Sequence, residues 1–132
     1  MKTTRLLFLS TLILITAFWC SCTSGPRYQE RTLPSGRTVK ILGMMRMNFS
    51  QGPPALMLKY QTDLKVSDKD ELRKEVDDIW TAFQEDADRG EFKSAIISVN
   101  EKPTGFIFTK SSGYNFVFEK RSDGQWYCLS DK

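Results

Sequence analysis

Carboxylates are the only side chains in this chain that are clustered densely enough to suggest acid–base chemistry. They are concentrated in Asp77-Asp78 and in Glu85-Asp86-Ala87-Asp88. Two catalytic acids must face each other across a cleft, and neighbouring acids on one solvated helix face do not provide that geometry. The sequence contains no histidine, which removes the commonest general base and the usual zinc ligand. We therefore expect no catalytic residues and interpret the acids as a solvated surface.

Metal and cofactor chemistry finds little support in the remaining residues. The segment 85–91 only faintly matches the oxygen-rich loops that hold calcium, and the glycines are too isolated to form a phosphate-binding loop. We predict no metal site and no cofactor. Cys128 lies in an apolar strand pattern, where a buried and inert cysteine is the usual outcome. A reactive thiol and an intermolecular disulfide at an edge strand are the alternatives.

The acid clusters fall within the one long helical pattern of the chain, from Ser67 to Gly90. Ser67 is a natural N-cap with an acid, Asp70, three residues later, and Gly90 is suited to a left-handed residue that ends a helix. The apolar positions recur at steps of three and four, which places them on one stripe. These positions are Leu72, Val76, Ile79, Phe83 and Ala87.

The stretches around this helix alternate between apolar and polar residues, which predicts strands. The turn residues of 50–54 join the first two into a hairpin. The aromatics, among them Phe49, Phe106 and Phe108, are expected in the core. Strands are predicted at 39–49, 55–64, 93–100, 114–120 and 125–129, and the segment 104–110, which carries Phe106 and Phe108, turns at 111–113 into 114–120. We predict an α+β fold of two layers, with a mainly antiparallel sheet in ββαβββ order and the long helix packed on one face. The strand order in the sheet stays open.

The N-terminus has the three zones of a secretory signal peptide. Lys2 and Arg5 precede the apolar run Leu6–Trp19, and Cys20-Ser21-Cys22 follows. The run is shorter than the roughly 20 residues that a spanning helix needs. We therefore divide the chain into a lipoprotein-type signal peptide at 1–22, a polar tether at 23–37 and a single α+β domain at 38–132.

Cys22, with a small residue before it and the apolar run upstream, resembles the lipobox of bacterial lipoproteins. In that family the cysteine becomes the lipid-modified N-terminus. The resemblance covers only 1–22 and implies a lipid anchor with palmitate on Cys22. Thr23 is not the Asp that implies retention in the inner membrane, so an anchor in the outer membrane facing the periplasm is expected. The alternative is an ordinary signal cleaved near Ser24, which would release a soluble periplasmic protein.

Charge is unevenly distributed along the chain. There are 19 basic and 16 acidic residues in all, and Asp68–Glu91 holds 10 of the acids with only 4 bases. We expect an acidic helix face opposed to a basic sheet and tether, which could orient the domain on an anionic membrane or dock it to a basic partner. Secretion and a mature charge near neutral argue against nucleic acid as a partner.

Candidate partner contacts are the large apolar residues outside the predicted core. Trp80 lies beside the helix stripe and either flanks the core or forms an exposed anchor. Met44 and Met57 are expected on the sheet face opposite the core, with Pro53 and Pro54 at an adjacent contact loop. We therefore expect a non-catalytic interaction or accessory module of the cell envelope. The alternatives are a domain that binds a small ligand or lipid between helix and sheet and, third, an enzyme.

Overall fold

The computed structural model describes residues 28–106 and 110–131, and Cys22 lies outside these ranges. The predicted signal peptide lies outside them as well. The elements, in chain order, are β1 (Gln29–Thr32), β2 (Thr38–Met47), β3 (Ala55–Thr62), α1 (Lys69–Arg89), β4 (Ser94–Glu101), β5 (Gly113–Lys120), β6 (Trp126–Cys128) and a 3-10 turn (Leu129–Asp131).

The six strands form one sheet whose spatial order follows the chain from β1 to β6. All neighbours are antiparallel except β3 and β4. These two are parallel because α1 carries the chain back to the same end of the sheet between them. The prediction of an α+β fold with a mainly antiparallel sheet is confirmed.

The order of elements is βββαβββ rather than ββαβββ, because β1 lies inside the stretch predicted as a tether. The strand Gln29–Thr32 pairs with Thr38–Ile41 of β2. A tight turn closes this hairpin, with the Leu33 amide donating to the Arg37 carbonyl at 2.8 Å. Leu33 is buried and belongs to the main core cluster, so a linker-like composition here conceals a packed strand.

The core lies between α1 and one face of the sheet. The predicted helix stripe is confirmed, since all five of its residues are buried. Residues directly opposite on paired strands point to the same side of a sheet. The inward side chains of the three central strands therefore share one face, and they are Leu56, Leu58, Tyr60, Ala95, Ile97, Val99, Phe116 and Phe118. We call the opposite side of the sheet the outer face.

Both ends of α1 differ from the prediction. The N-cap is Asp68, one residue after Ser67, and it makes no side-chain capping bond, so the capping box does not form. Gly90 has a φ of −82° and is not left-handed, whereas Glu91 has a φ of 55°. Glycine is needed at position 90 for space, because a Cβ there would overlap the ring of Phe92.

Two aromatic residues predicted in the core lie at the surface. Phe49 is 47% exposed, because β2 ends at Met47 and Phe49 falls in the following turn. Phe106 is fully exposed, because Thr104 and Lys110 form a single bridge outside the named strands. Phe108 lies outside the described residues.

Candidate functional site

A β-bulge in β2 decides which side chains reach the outer face. Ile41 pairs with Tyr60 and Gly43 with Lys59, so Leu42 is the extra residue. One extra residue reverses the inward–outward alternation of every residue that follows. Met44 therefore lies on the helix side, opposite Leu58, and Met45 lies on the outer face, opposite Met57. The prediction for Met57 holds, but the prediction that Met44 shares its face is wrong.

Four apolar side chains form a row across the outer face, and we call this row the outer band. The band runs from β2 to β5 through directly paired positions: Met45, Met57, Ile96 and Val117. Met45 is 42% exposed, and the other three are half-buried. In the described ranges no helix packs on this side. The band is thus a continuous apolar strip on a sheet face that no described element covers.

Polar side chains border the outer band. On one side Lys59 pairs with Ser98, and Ser98 pairs with Asn115. Lys59 makes no ion pair with a carboxylate of the residues that the structure describes. An apolar strip beside an unpaired ammonium group is complementary to an apolar surface that carries an acid at its edge.

The Pro53-Pro54 tip lies at the end of the sheet near the C-terminus of α1. Pro53 is exposed and Pro54 is half-buried. With Arg46 and Phe92 they line a shallow depression of about 280 Å³. Arg46 pairs with the inward-facing Leu56, so it lies on the helix side. Its guanidinium accordingly stands 5.7 Å from the Phe92 ring centroid. The two prolines are therefore adjacent to the helix side rather than to the outer band, and their role as contacts stays a prediction.

Trp80 lies in an aromatic cluster between α1 and the last two strands. Its indole stacks on Phe118 with ring centroids 4.0 Å apart and an interplanar angle of 5°. It also meets Phe83 and Trp126 edge-on, at 5.9 Å and 5.1 Å. Of the two interpretations of Trp80, this packing favours the one that flanks the core, because both the face and the edge of the ring already have aromatic neighbours.

Asp88 fixes this cluster from the last turn of α1. Its Oδ1 accepts hydrogen bonds from Lys120 Nζ at 2.8 Å and from Trp126 Nε1 at 2.9 Å. These two donors, with Lys120 the stronger, hold the pKa of the Asp88 carboxyl below its usual value. An acid that the sequence groups with a solvated cluster thus ties the helix to β5 and β6.

A second polar anchor lies under the start of α1. Glu75 is 5% exposed, and its Oε2 accepts a hydrogen bond from Arg37 Nη1 at 2.7 Å. Neither Glu75 Oε1 nor the buried Tyr60 hydroxyl has a hydrogen-bond partner of good geometry among the described residues. Burial, followed by the nearby Glu75 charge, raises the pKa of Tyr60 far above its usual value.

A cleft opens beside this second anchor. It has a volume of about 440 Å³ and is lined by Arg37, Lys40, Asp63, Glu75 and Lys102, among others. That volume falls within the range of about 300–1,000 Å³ typical of small-molecule sites. The walls carry both signs of charge, and Glu75 supplies the only carboxylate in the lining that is buried.

The sequence interpretation did not single out Glu75 as a buried residue, although its position on the helix indicates one. Glu75 is three residues after Leu72 and four before Ile79, so it lies on the apolar stripe of α1. An acid on a buried stripe needs a cationic partner, and the sequence interpretation places Arg37 in the tether. The structure brings the two together only because the β1–β2 hairpin folds against α1.

Most acids of α1 are paired rather than free. Glu71, Asp77 and Glu85 bind Lys74, Arg73 and Arg89 at 2.7, 2.8 and 2.9 Å. In the described part of the chain, no group of three or more Cys, Asp or Glu side chains is arranged to hold a metal ion. The acidic face expected from the composition is therefore partly neutralised by its own bases.

Cys128 is half-buried and packs against the core from β6.

Across the ranges 28–106 and 110–131, no helix is both long and apolar enough to span a bilayer. The chain matches no protein-family model, no curated protein and no solved structure. The outer band, the two polar anchors and the cleft are therefore the features of this chain that bear on its function.

Proposed function

We propose that this protein is a small, non-catalytic lipoprotein of the cell envelope that binds a protein partner on its outer band. Anchoring through Cys22 at the periplasmic face of the outer membrane is supported by the lipobox-like pattern at 1–22. Partner binding is supported by the band itself, in which Met45 and Met57 lie side by side on a sheet face that none of the described elements covers. The alternative location is the soluble periplasm.

The partner is a protein with an apolar surface and an acidic edge. Lys59 borders the band and has no carboxylate partner within the described ranges, so an acid of the partner would complete its ion pair. Such a pair adds mainly specificity and association rate, while the apolar contact supplies most of the affinity.

The position of β1 restricts where this partner is met. If Cys22 carries the lipid, only residues 23–28 separate it from the start of β1 at Gln29. Six residues extend to about 20 Å at most. The anchored domain therefore stays next to the membrane, and its partner is an envelope protein rather than one that diffuses far from it.

Metabolic labelling with palmitate in the native host tests the anchor. We expect label on the wild-type chain and its loss in Cys22→Ser, because the thiol is the acceptor. An unlabelled wild type, or label that persists in Cys22→Ser, overturns the lipoprotein assignment. Partner binding is tested separately and does not depend on this result.

Site-specific photo-crosslinking in intact cells tests the partner surface. A photoreactive residue at position 57 is expected to give one discrete protein adduct, and Lys59→Glu is expected to weaken that adduct by opposing the partner's acid. Position 81, which is exposed on α1, is the matched control and should give no adduct. Equal adducts at 57 and 81, or lipid adducts alone at 57, would contradict a protein partner on the outer band.

The cleft beside Glu75 favours a second candidate, the binding of a small polar ligand. The buried Glu75 carboxylate lines the cleft and would accept hydrogen bonds from a ligand with an ammonium or amide group. A native mass spectrum of the purified chain would then show a bound species of defined mass that is lost or strongly reduced in Glu75→Gln, which removes the charge that holds the ligand. A spectrum with the protein mass alone rules this candidate out.

A further inference from the structure

The outer-band strand β2 is partly open along its free edge. On that side β1 pairs only as far as Ile41, through Gln29, whereas on the other side β2 pairs with β3 as far as Met47. In the part of the chain that the structure describes, no strand pairs with 43–47 on the free side. No backbone group of the described residues occupies the N–H and C=O groups that point outward there, so we treat them as open to another strand.

The opposite edge of the sheet is protected. There β6 has only three residues, and the chain turns immediately into the 3-10 turn. Ser130 Oγ lies 3.3 Å from the Val117 amide and donates to the Asn115 carbonyl at 3.4 Å. These contacts occupy backbone groups of β5 that β6 leaves free.

The open edge of β2 has only two of the usual protections against pairing, the bulge at Leu42 just before it and the single charge of Arg46. The stretch Gly43–Met47 contains no proline and no lysine, and Met44 and Met45 are 48% and 42% exposed. Arg46 carries its one charge, and its Nε already donates to Asn48 Oδ1 at 3.2 Å. Native edges are normally blunted by charge, proline or a covering element.

This edge is complementary to itself. When two copies pair about a two-fold axis perpendicular to the sheet, each residue must face one from the same side of the other sheet. A register centred on Met45 satisfies that condition over the whole open stretch. It sets Gly43 against Met47 of the second copy, and Met44 against Arg46, so no like charges are directly opposed.

We propose that the Gly43–Met47 edge pairs antiparallel with the same edge of a second copy, in a register centred on Met45. The pairing joins two six-stranded sheets into one. It also brings the two outer bands end to end, because Met45 of each copy faces Met45 of the other on the outer face. The inference goes beyond the proposed function and does not depend on it.

Disulfide trapping in the full chain tests this register. Directly opposed residues in antiparallel strands have Cβ atoms about 4.5–5.5 Å apart. Met45→Cys in a Cys128→Ser background is therefore expected to form a covalent homodimer on mild oxidation. The Cys128→Ser chain alone reports any linkage through Cys20 or Cys22. Met44→Cys, one residue away but on the helix side, is the matched control and should link poorly.

Sedimentation provides a second test that does not require the cysteine variants to fold. Sedimentation of the wild-type chain is expected to show a dimer, and Met45→Lys is expected to shift it to monomer with its circular dichroism spectrum retained. A monomeric wild type, equal trapping at positions 44 and 45, or a disulfide between the Met45→Cys chain and a different protein would each overturn the self-pairing. The last outcome would identify a foreign strand at this edge.

Discussion

The two faces of the sheet carry similar apolar side chains, but those on the helix side are buried and those on the outer face are partly exposed. On the helix side, residues such as Phe83 and Ile97 are almost completely buried, and a polar anchor closes each end of the layer, at Glu75 and at Asp88. On the outer face, Met45 and Ile96 keep part of their surface in water, and no described element covers them. The helix side therefore determines stability, while the outer face is free to determine association.

The largest expected loss of stability comes from a substitution at the centre of the helix side. Phe83→Ala removes a ring that is 1% exposed, so the free energy of unfolding should fall by about 3–5 kcal/mol. Met57→Ala, at the centre of the outer band, should cost about 1 kcal/mol or less. Urea unfolding of both variants measures the difference. Comparable losses would show that the outer face is covered in the folded protein.

The next largest loss of stability is expected from breaking the ion pair between Arg37 and Glu75. Arg37→Met leaves a buried carboxylate without its cation and should cost about 3 kcal/mol. Glu75→Gln removes the charge together with the need for a partner, so a smaller loss of about 1–2 kcal/mol is expected. Urea midpoints give the order directly. If Arg37→Met is the milder change, water from the cleft already solvates Glu75.

A smaller effect, dependent on pH, is expected at Asp88. Its pKa is lowered in the folded protein, so the folded state binds fewer protons than the unfolded state, and stability rises with pH across that window. The contribution should be complete above about pH 5 and be lost as the pH falls below about 4, through the folded-state pKa. Because the Asp88 side chain is 38% exposed, we expect about 1 kcal/mol or less.

Thermal unfolding between about pH 2.5 and about pH 7 measures this contribution, since that range extends from below the ordinary pKa of an aspartic acid to well above it. Asp88→Asn should flatten the acid limb of the stability curve relative to wild type. Lys120→Met removes the stronger of the two donors and should flatten it in the same direction. An acid limb that is unchanged in both variants would show that the cluster around Trp126 holds without the charge.

The two faces also differ in how far the sequence predicts them. The stripe from Leu72 to Ala87 follows from helix periodicity alone, because one repeat decides which residues are buried. The outer face depends on where Leu42 is inserted in β2, and alternation cannot reveal a bulge. Simple alternation puts Met44 on that face for this reason, although Met45 occupies it.

Long-range partners are the other gap in the sequence interpretation. Glu75 and Asp88 stand among solvated acids in the sequence, and their donors Arg37 and Lys120 are distant along the chain. Pairing across such separations depends on the order of strands, which the sequence leaves open. The strand β1 escapes prediction because the composition of 23–37 resembles a linker.

The smallest expected change in stability is that of Val117→Thr on the outer face, and the same substitution at Val99 on the helix side is its comparison. Val99 is completely buried on the helix side, and Val99→Thr places a hydroxyl of similar size there without an assured partner, at a cost of about 1–3 kcal/mol. Val117 lies in the outer band, where water reaches the side chain, so Val117→Thr should change stability by no more than about 0.5 kcal/mol. Differential scanning calorimetry of the two variants compares the faces without altering side-chain volume. A cost at Val117 close to that at Val99 would mean that the outer band is already buried in solution, by a second copy or by another part of the chain.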